Sequence, residues 1–322
     1  MNAEVSFFNS SLILHPSSFI PHPSDMTSIV AGAPAEMSPS EYALWQASIR
    51  RRCGLHFGES RQRFLSQRLW ERMQARRLTD YGEYFYFVEH NPEGPREWKE
   101  LLEHLVVNET SFFRHPPSFE ALATHALPQI MRAKHDCQDN VLNIWSAACA
   151  AEQEAYSLAM TLSETLDTSL LQTRVWGTDI SPRVLERARQ GTYRTHEMRH
   201  LSEGFMSRYF TKTGTASVGS YKVVEHLRRL VEFKAVNLAG DADYPLPKQD
   251  VIFCQNVLIY FEMESRKQIV RRLCARLNEG GYLFLAPGEM LGLASTGIEP
   301  IKIGDAIIYR CTGKQSERAA KF

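Results

Sequence analysis

An α/β protein is expected: a mostly parallel sheet covered by helices on both faces, with a small β-excursion, preceded by a small all-α domain. Three features of the sequence point to it. From Ser38 to about residue 105, apolar residues recur at helical spacing. Beyond Arg114, apolar runs of strand length alternate with amphipathic helices, the pattern of a parallel sheet built with crossover helices. Between residues 191 and 229 that rhythm breaks around a turn-rich tip, Thr211 to Ser220. A chain of 322 residues is long enough for one large domain or two ordinary ones.

The helical part begins at Ser38, a capping residue followed by Pro39 and Glu41, with Tyr42, Leu44 and Trp45 opening an apolar stripe. A second helix is expected over about Arg61 to Arg77, where Phe64, Leu65, Leu69 and Met73 share a face. Two more, Tyr81–Val88 and Trp98–Val107, flank the breaker Asn91, Pro92, Glu93, Gly94, Pro95. In the second part the expected strands are Val141–Ser146, Thr173–Asp179, Leu230–Val236, Asp250–Gln255 and Tyr282–Ala286. Helices are expected over Glu154–Leu166, Arg183–Arg189 after Ser181 and Pro182, and Glu262–Leu277, the last ended by Asn278, Glu279, Gly280 and Gly281. Ala306–Tyr309 can close the sheet as a hairpin with Ile301–Ile303.

Composition narrows the classes. Lys+Arg and Asp+Glu are both 37, so no net charge draws the chain to nucleic acid or a membrane surface. No apolar run reaches 18 residues, so no direct membrane insertion is expected. The six cysteines form no C-x-x-C pair and no H-E-x-x-H occurs, which argues against a metal site and suits buried thiols in a reducing cytoplasm. Residues 1–36 read as a disordered leader with no Lys or Arg and with Pro16, Pro21 and Pro23; a start at Met26 or Met37 accounts for them equally. Nine arginines lie between Arg50 and Asp80 against three acids (Glu59, Glu71, Asp80). They are either a solvated helical face or a docking face for an acidic partner.

Ligands of such sheets bind past the carboxyl ends of the strands, so those residues are the candidates. After the first strand comes a small-residue loop, Ala147 to Ala151, leading to Glu154. After the second comes Asp179, an acid able to accept both hydroxyls of a ribose. Asn237 and Leu238 follow the third and suit the edge and face of an adenine. Gln255 and Asn256, then Tyr260, follow the fourth. Upstream of all of them stands a linker of small polar residues, aromatics and a cation: Asn108, Glu109, Thr110, Ser111, Phe112, Phe113, Arg114.

Taken in order, that linker, Trp145–Cys149 with Glu154–Ala159, Gly177–Ile180, Val236–Leu238 and Asp250–Phe261 resemble the chemotaxis receptor methyltransferase (CheR) family over about residues 38–311. The resemblance implies a Rossmann-like class I methyltransferase domain with a small β-subdomain, after a small all-α domain. The corresponding boundaries are 37–105 for the helical docking domain and 106–313 for the methyltransferase domain, with the β-subdomain at about 191–229 and a tail at 314–322. It also implies an S-adenosyl-L-methionine cofactor and methyl transfer to glutamate carboxylates of a chemoreceptor's cytoplasmic helices. The Arg50–Arg77 region and the 211–220 tip become candidate receptor contacts. By the same resemblance Asn108, Thr110 and Arg114 line the cofactor pocket from the linker side. Glu154 holds the methionine end, Asp179 the ribose, and Asn237 and Leu238 the adenine. Gln255 and Asn256 give a further contact, and Tyr260 sits near the transferred methyl, with Arg114 and Tyr260 as the orienting, catalytic pair.

Three positions depart from the family's pattern. Glu152 replaces a glycine of the first loop and should bring bulk and charge toward the cofactor's carboxylate. Gln255 replaces an arginine and should weaken capture of the substrate carboxylate. Pro287, in Ala286, Pro287, Gly288, Glu289, should restrict the turn after the fifth strand. With these changes, a non-catalytic adaptor that keeps the fold and docks partners is the alternative to an active enzyme.

Overall fold

The computed structural model describes residues 36–150, 152–167, 171–199, 201–213, 219–290 and 297–312. Nearly all of the expected leader, the centre of the 211–220 tip and the 314–322 tail lie outside them.

The chain opens with four helices, α1 (Pro39–Cys53), α2 (Gln62–Arg76), α3 (Tyr81–His90) and α4 (Gly94–Leu105). Ser38 and Glu41 form a reciprocal capping box on α1, and Asp80 accepts the Glu83 amide at 2.7 Å to cap α3. Trp45, Leu65, Leu69, Met73, Tyr84 and Leu101 make a sealed core. One carboxylate lies at its edge. Glu97 is fully buried and takes hydrogen bonds from Arg72 (2.8 and 2.9 Å), Arg76 (2.6 Å) and the Tyr84 hydroxyl (2.9 Å). Burial pushes its carboxyl up, but those donors outweigh burial and hold it below the ordinary value. The arginine-rich stretch is therefore largely spoken for. Arg50 pairs with Glu262, Arg51 and Arg52 with Glu89, Arg68 with Glu71, and Arg72 and Arg76 with Glu97.

Three consecutive helical segments, α5 (Pro116–Ala121), a π-turn over Leu122–Ala126, and α6 (Leu127–Asp136), lead into a seven-stranded sheet. Its strands are β1 (Val141–Ala147), β2 (Gln172–Asp179), β6 (Val231–Ala235), β7 (Gln249–Cys254), β8 (Leu277–Leu285), β9 (Ile298–Ile303) and β10 (Ala306–Cys311), in the order β6-β2-β1-β7-β8-β10-β9. The first five run parallel and β10 and β9 close the edge as an antiparallel hairpin. One face buries Phe253 and Phe284, stacked at 4.3 Å, beneath Phe119. The other buries Trp145 against Tyr244 at 5.0 Å, with Ile269, Val270 and Leu273 of α11 (Met263–Arg276). Two further helices, α7 (Gln153–Thr165) and α8 (Pro182–Gln190, capped by Ser181), follow β1 and β2.

The break in rhythm is a three-stranded antiparallel sheet of β3 (Thr192–Arg194), β5 (Ser220–Val223) and β4 (Phe210–Thr213), with α9 (Glu203–Tyr209) and α10 (Glu225–Leu230). One expectation fails nearby. Asn278–Gly281 does not end α11 as a free turn; β8 starts at Leu277 and absorbs those residues through a register shift against β7, with Gly280 at φ +75° supplying the kink.

Candidate active site

A pocket of about 300 Å³ opens beyond the carboxyl ends of β1, β2, β6 and β7. There β1 has β2 on one side and β7 on the other, which is where a doubly wound sheet offers a crevice. All ten residues singled out in the sequence line it: Asn108, Thr110 and Arg114 from the linker, Glu154, Asp179, Asn237, Leu238, Gln255, Asn256 and Tyr260.

The linker is anchored by its aromatics. Phe112 inserts between Tyr193 (4.8 Å) and Phe210 (5.5 Å) of the small sheet. Phe113 adopts φ +49° and donates its amide to Ser157 Oγ at 3.0 Å. Those two anchors leave Arg114 exposed at the mouth, its Nη1 donating to the Glu109 carbonyl at 2.9 Å.

Two carboxylates lie deep in the pocket. Glu154, in the first turn of α7, accepts from Ser146 Oγ at 2.6 Å. Burial lifts its pKa to about 7, against the opposing pull of Ser146 and Arg114. Asp179 ends β2. Its Oδ1 accepts from the Ser181 amide (2.9 Å) and its Oδ2 from the Ala150 amide (3.1 Å); burial still raises it to about 6. The Ile180 amide also favours the anion, and with about two acceptor sites on each oxygen the carboxylate keeps capacity for a ligand.

The other residues divide between pocket and scaffold. Asn237 donates to the Arg52 carbonyl (3.0 Å) and accepts from the Ala239 amide (3.0 Å), so its amide joins the two domains as well as facing the pocket. Asn256 sits at φ +59°, its amide donating to Glu289. Glu289 also accepts from the Ala286 and Leu258 amides, which fixes the loop carrying Tyr260.

The departures from the family's pattern look different in three dimensions. Glu152 caps α7 at φ +68°, a conformation glycine adopts without strain, but its side chain is fully buried away from the pocket, beside Tyr193. Its carboxyl is not among the groups that line the pocket. Gln255 is buried, donating to Ser118 Oγ (2.9 Å) and the Leu285 carbonyl (3.3 Å), so an arginine there would have to displace both contacts. Pro287 fits its turn. The Glu289 amide reaches the Ala286 carbonyl (3.1 Å) and Gly288 has φ +84°, a type II turn in which proline is favoured at the second position.

Sequence reasoning missed one wall. Cys53, Leu55, His56, Phe57, Arg61 and Phe64 of the helical domain close over the pocket. Leu55 bridges to Phe261, and the His56 amide donates to the Tyr260 carbonyl at 2.8 Å. The Arg61 guanidinium lies over the Tyr260 ring, 5.0 Å from its centroid. The glycine after α1 was a visible helix stop, but no local signal says which surface the following loop meets.

Residues 108–304 match the family model described as CheR methyltransferase, SAM binding domain, and residues 40–106 the one described as CheR methyltransferase, all-alpha domain. Chemotaxis protein methyltransferase 1 of Pseudomonas aeruginosa is 34% identical over 276 residues, 84% of this chain and 97% of its own length. The chemotaxis protein methyltransferases of Escherichia coli and Salmonella typhimurium are 34% and 35% identical over 242 residues, 75% of this chain and 81% and 80% of theirs.

The pocket suits S-adenosylmethionine. Glu154 and Asp179 keep acceptor capacity for an ammonium and a ribose diol, and among the described residues the other acid in the lining is the exposed Glu109. Two matched domains and relatives aligned over most of their length converge with that geometry: this chain is a member of the CheR methyltransferase family, a Rossmann-like methyltransferase whose cofactor is S-adenosylmethionine.

Proposed function

We propose that the protein methylates glutamate side-chain carboxylates of a chemoreceptor in chemotaxis signalling. The observation that carries this reading is the charge polarity of a single pocket. Carboxylates (Glu154, Asp179) lie deep, while in the outer lining two guanidinium groups (Arg114, Arg61) and a phenol (Tyr260) stand against one exposed acid, Glu109. The deep end suits the cationic cofactor, which supplies a methyl group activated on a sulfonium. The outer end suits an incoming anion.

A glutamate carboxylate has an ordinary pKa of about 4.3 and is already a nucleophile at neutral pH, so no general base is required. The residues' task is placement. Glu154 and Asp179 fix the cofactor's two ends, Asn108 and Thr110 close the linker side, and Leu238, beside Asn237, offers an apolar face to the adenine. Gln255 and Asn256 hold the loop after β7. Arg114 and Tyr260 orient the carboxylate in line with the methyl and exclude water. The adaptor alternative loses its main support because the Glu152 side chain lies outside the pocket.

The test is a methylation assay with radiolabelled S-adenosylmethionine and a receptor cytoplasmic fragment. Base-labile label on glutamates is expected. Cofactor binding without any transferred label would return the adaptor reading.

A further inference from the structure

We propose that Gln255 discriminates the sulfonium form of the cofactor from its neutral thioether form, and that Ser118 and His115 are the positioning residues that aim its amide. The inference concerns the cofactor alone and does not depend on which carboxylate receives the methyl group.

The orientation of the amide follows from its partners. Gln255 directly follows β7, and its Nε2 lies 2.9 Å from Ser118 Oγ and 3.3 Å from the Leu285 carbonyl at the end of β8. A backbone carbonyl only accepts, so the group beside Leu285 is the amide nitrogen and not its oxygen. Both N–H groups are therefore committed to the scaffold, and Oε1 points the other way. Among the described residues Oε1 accepts no hydrogen bond, and it is not one of the sealed polar atoms. Gln255 is only 9% exposed and lines the pocket, so the open side of that oxygen is the pocket.

A second contact keeps Ser118 in its accepting role. Ser118 is buried in the first turn of α5, and its Oγ lies 2.8 Å from His115 Nδ1. Since the hydroxyl accepts from Gln255, its own proton is free to go to Nδ1, which requires a neutral ring protonated on Nε2. Burial lowers the His115 pKa and favours that form. His115 follows Arg114 directly, so the linker that lines the pocket also aims the amide opposite it.

A fixed carbonyl oxygen is the negative end of a dipole, and here it opens into a pocket whose ligand carries a sulfonium. A dipole set before the ligand arrives favours the charged form without reorganisation. Hydrogens on carbon bound to a sulfonium are polarised and act as weak donors to such an oxygen. Gln255 loses that attraction once methyl transfer leaves a neutral thioether. It therefore strengthens cofactor binding more than product binding. Because the contact weakens along the reaction, it does not lower the barrier. Its removal should raise KM for the cofactor and leave kcat undiminished.

The experiment measures calorimetric Kd values for three ligands: S-adenosylmethionine, S-adenosylhomocysteine, and sinefungin, which carries an ammonium where the methylated sulfur stands. The proteins are full-length wild type, Gln255→Leu, Ser118→Ala, Ser118→Thr and His115→Ala. Ratios between ligands within one variant cancel any general loss of folded protein. For Gln255→Leu the Kd should rise about threefold for S-adenosylmethionine and about tenfold for sinefungin, with S-adenosylhomocysteine nearly unchanged. Ser118→Ala and His115→Ala should shift the same ratios in the same direction by a smaller factor. Ser118→Thr keeps the hydroxyl and should match wild type. The proposal is overturned if Gln255→Leu weakens all three ligands equally, which would put the contact on a part they share, or if it weakens none. The positioning role is overturned if Ser118→Ala keeps the wild-type ratios or if Ser118→Thr behaves like Ser118→Ala. Wild-type ratios in His115→Ala would remove His115 from it.

Discussion

Ser146 donates its hydroxyl to the Glu154 carboxylate across 2.6 Å at the deep end of the pocket. This contact opposes burial, which still raises Glu154 to about 7. The free protein thus holds a mixture of neutral and anionic Glu154 near neutral pH. A ligand bringing an ammonium selects the anion, so affinity should rise as pH climbs through that value. S-adenosylhomocysteine titrated by calorimetry at pH 6, 7 and 8 should bind roughly tenfold more tightly at the upper end. Asp179 also titrates in this region, at about 6, and Ser146→Ala separates the two. Losing a contact that favours the anion should move the affinity midpoint to higher pH. A midpoint that stays put would remove Glu154 from the ammonium site.

Asp179 has two tasks that one substitution can separate. Its oxygens accept the Ala150 and Ser181 amides, holding the loop after β1 to the end of β2. Asp179→Ala leaves both donors without that acceptor, at a cost of about 1–3 kcal/mol each where buried. Asp179→Asn keeps one oxygen, and the amide group cannot accept from both ribose hydroxyls. The asparagine variant should lower S-adenosylhomocysteine affinity at least tenfold with a smaller fall in melting temperature than the alanine variant. Equal affinity for wild type and Asp179→Asn would show that the ribose lies elsewhere.

Glu152 is a burden on stability that spares the cofactor. Its carboxyl and the neighbouring Tyr193 hydroxyl face each other, and among the described residues neither makes a hydrogen bond of good geometry. Burial raises the carboxyl from 4.5 to about 8, although Arg187 pulls the other way. The raised folded value means that the neutral acid is favoured on folding. No ionisation cost exists below pH 4.5; the cost grows up to pH 8 and is constant above, at about 1.4 kcal/mol per pH unit inside that window. Glu152→Gln abolishes the titration. Its melting temperature should match wild type at pH 4 and exceed it at pH 8, with S-adenosylhomocysteine affinity unchanged at pH 7. A uniform gain at every pH would point to packing instead.

The contrast between Asp179 and Glu152 shows how much the sequence could reveal. Strand ends are legible because β-strands and crossover helices have distinct periods, and the chemistry of a parallel sheet gathers at those ends. Asp179, Asn237 and Asn256 could therefore be placed in one pocket from spacing alone. The direction of a side chain at a left-handed backbone position is not local information. Glu152 follows Ala150 (φ +46°) in a loop whose turns decide which way each carboxyl points, and that outcome is set by how the small sheet packs. Arg61 was hidden for a related reason. Its partner ring is 199 positions away in sequence, and no periodicity encodes a contact between domains.

Gly54 carries the junction that brings Arg61 to the pocket. It terminates α1 at φ +76°, where an L side chain is strained by roughly 1 kcal/mol. A methyl group there would also collide with the Ala239 side chain and press on the Phe261 ring at 3.1 Å. Ala239 belongs to the loop after β6 and Phe261 follows Tyr260, so the collision pushes the helical domain off two pocket walls together. Gly54→Ala should loosen the Leu55–Phe261 bridge and the contact between Asn237 and Arg52, exposing the 54–61 segment. Limited proteolysis should cut there faster, S-adenosylhomocysteine affinity should fall about tenfold, and the helical domain's own core, built from residues such as Trp45 and Leu69, should survive. Unchanged affinity with faster cleavage would mean that the cofactor is held by the sheet domain alone, and that the helical domain serves only the substrate side.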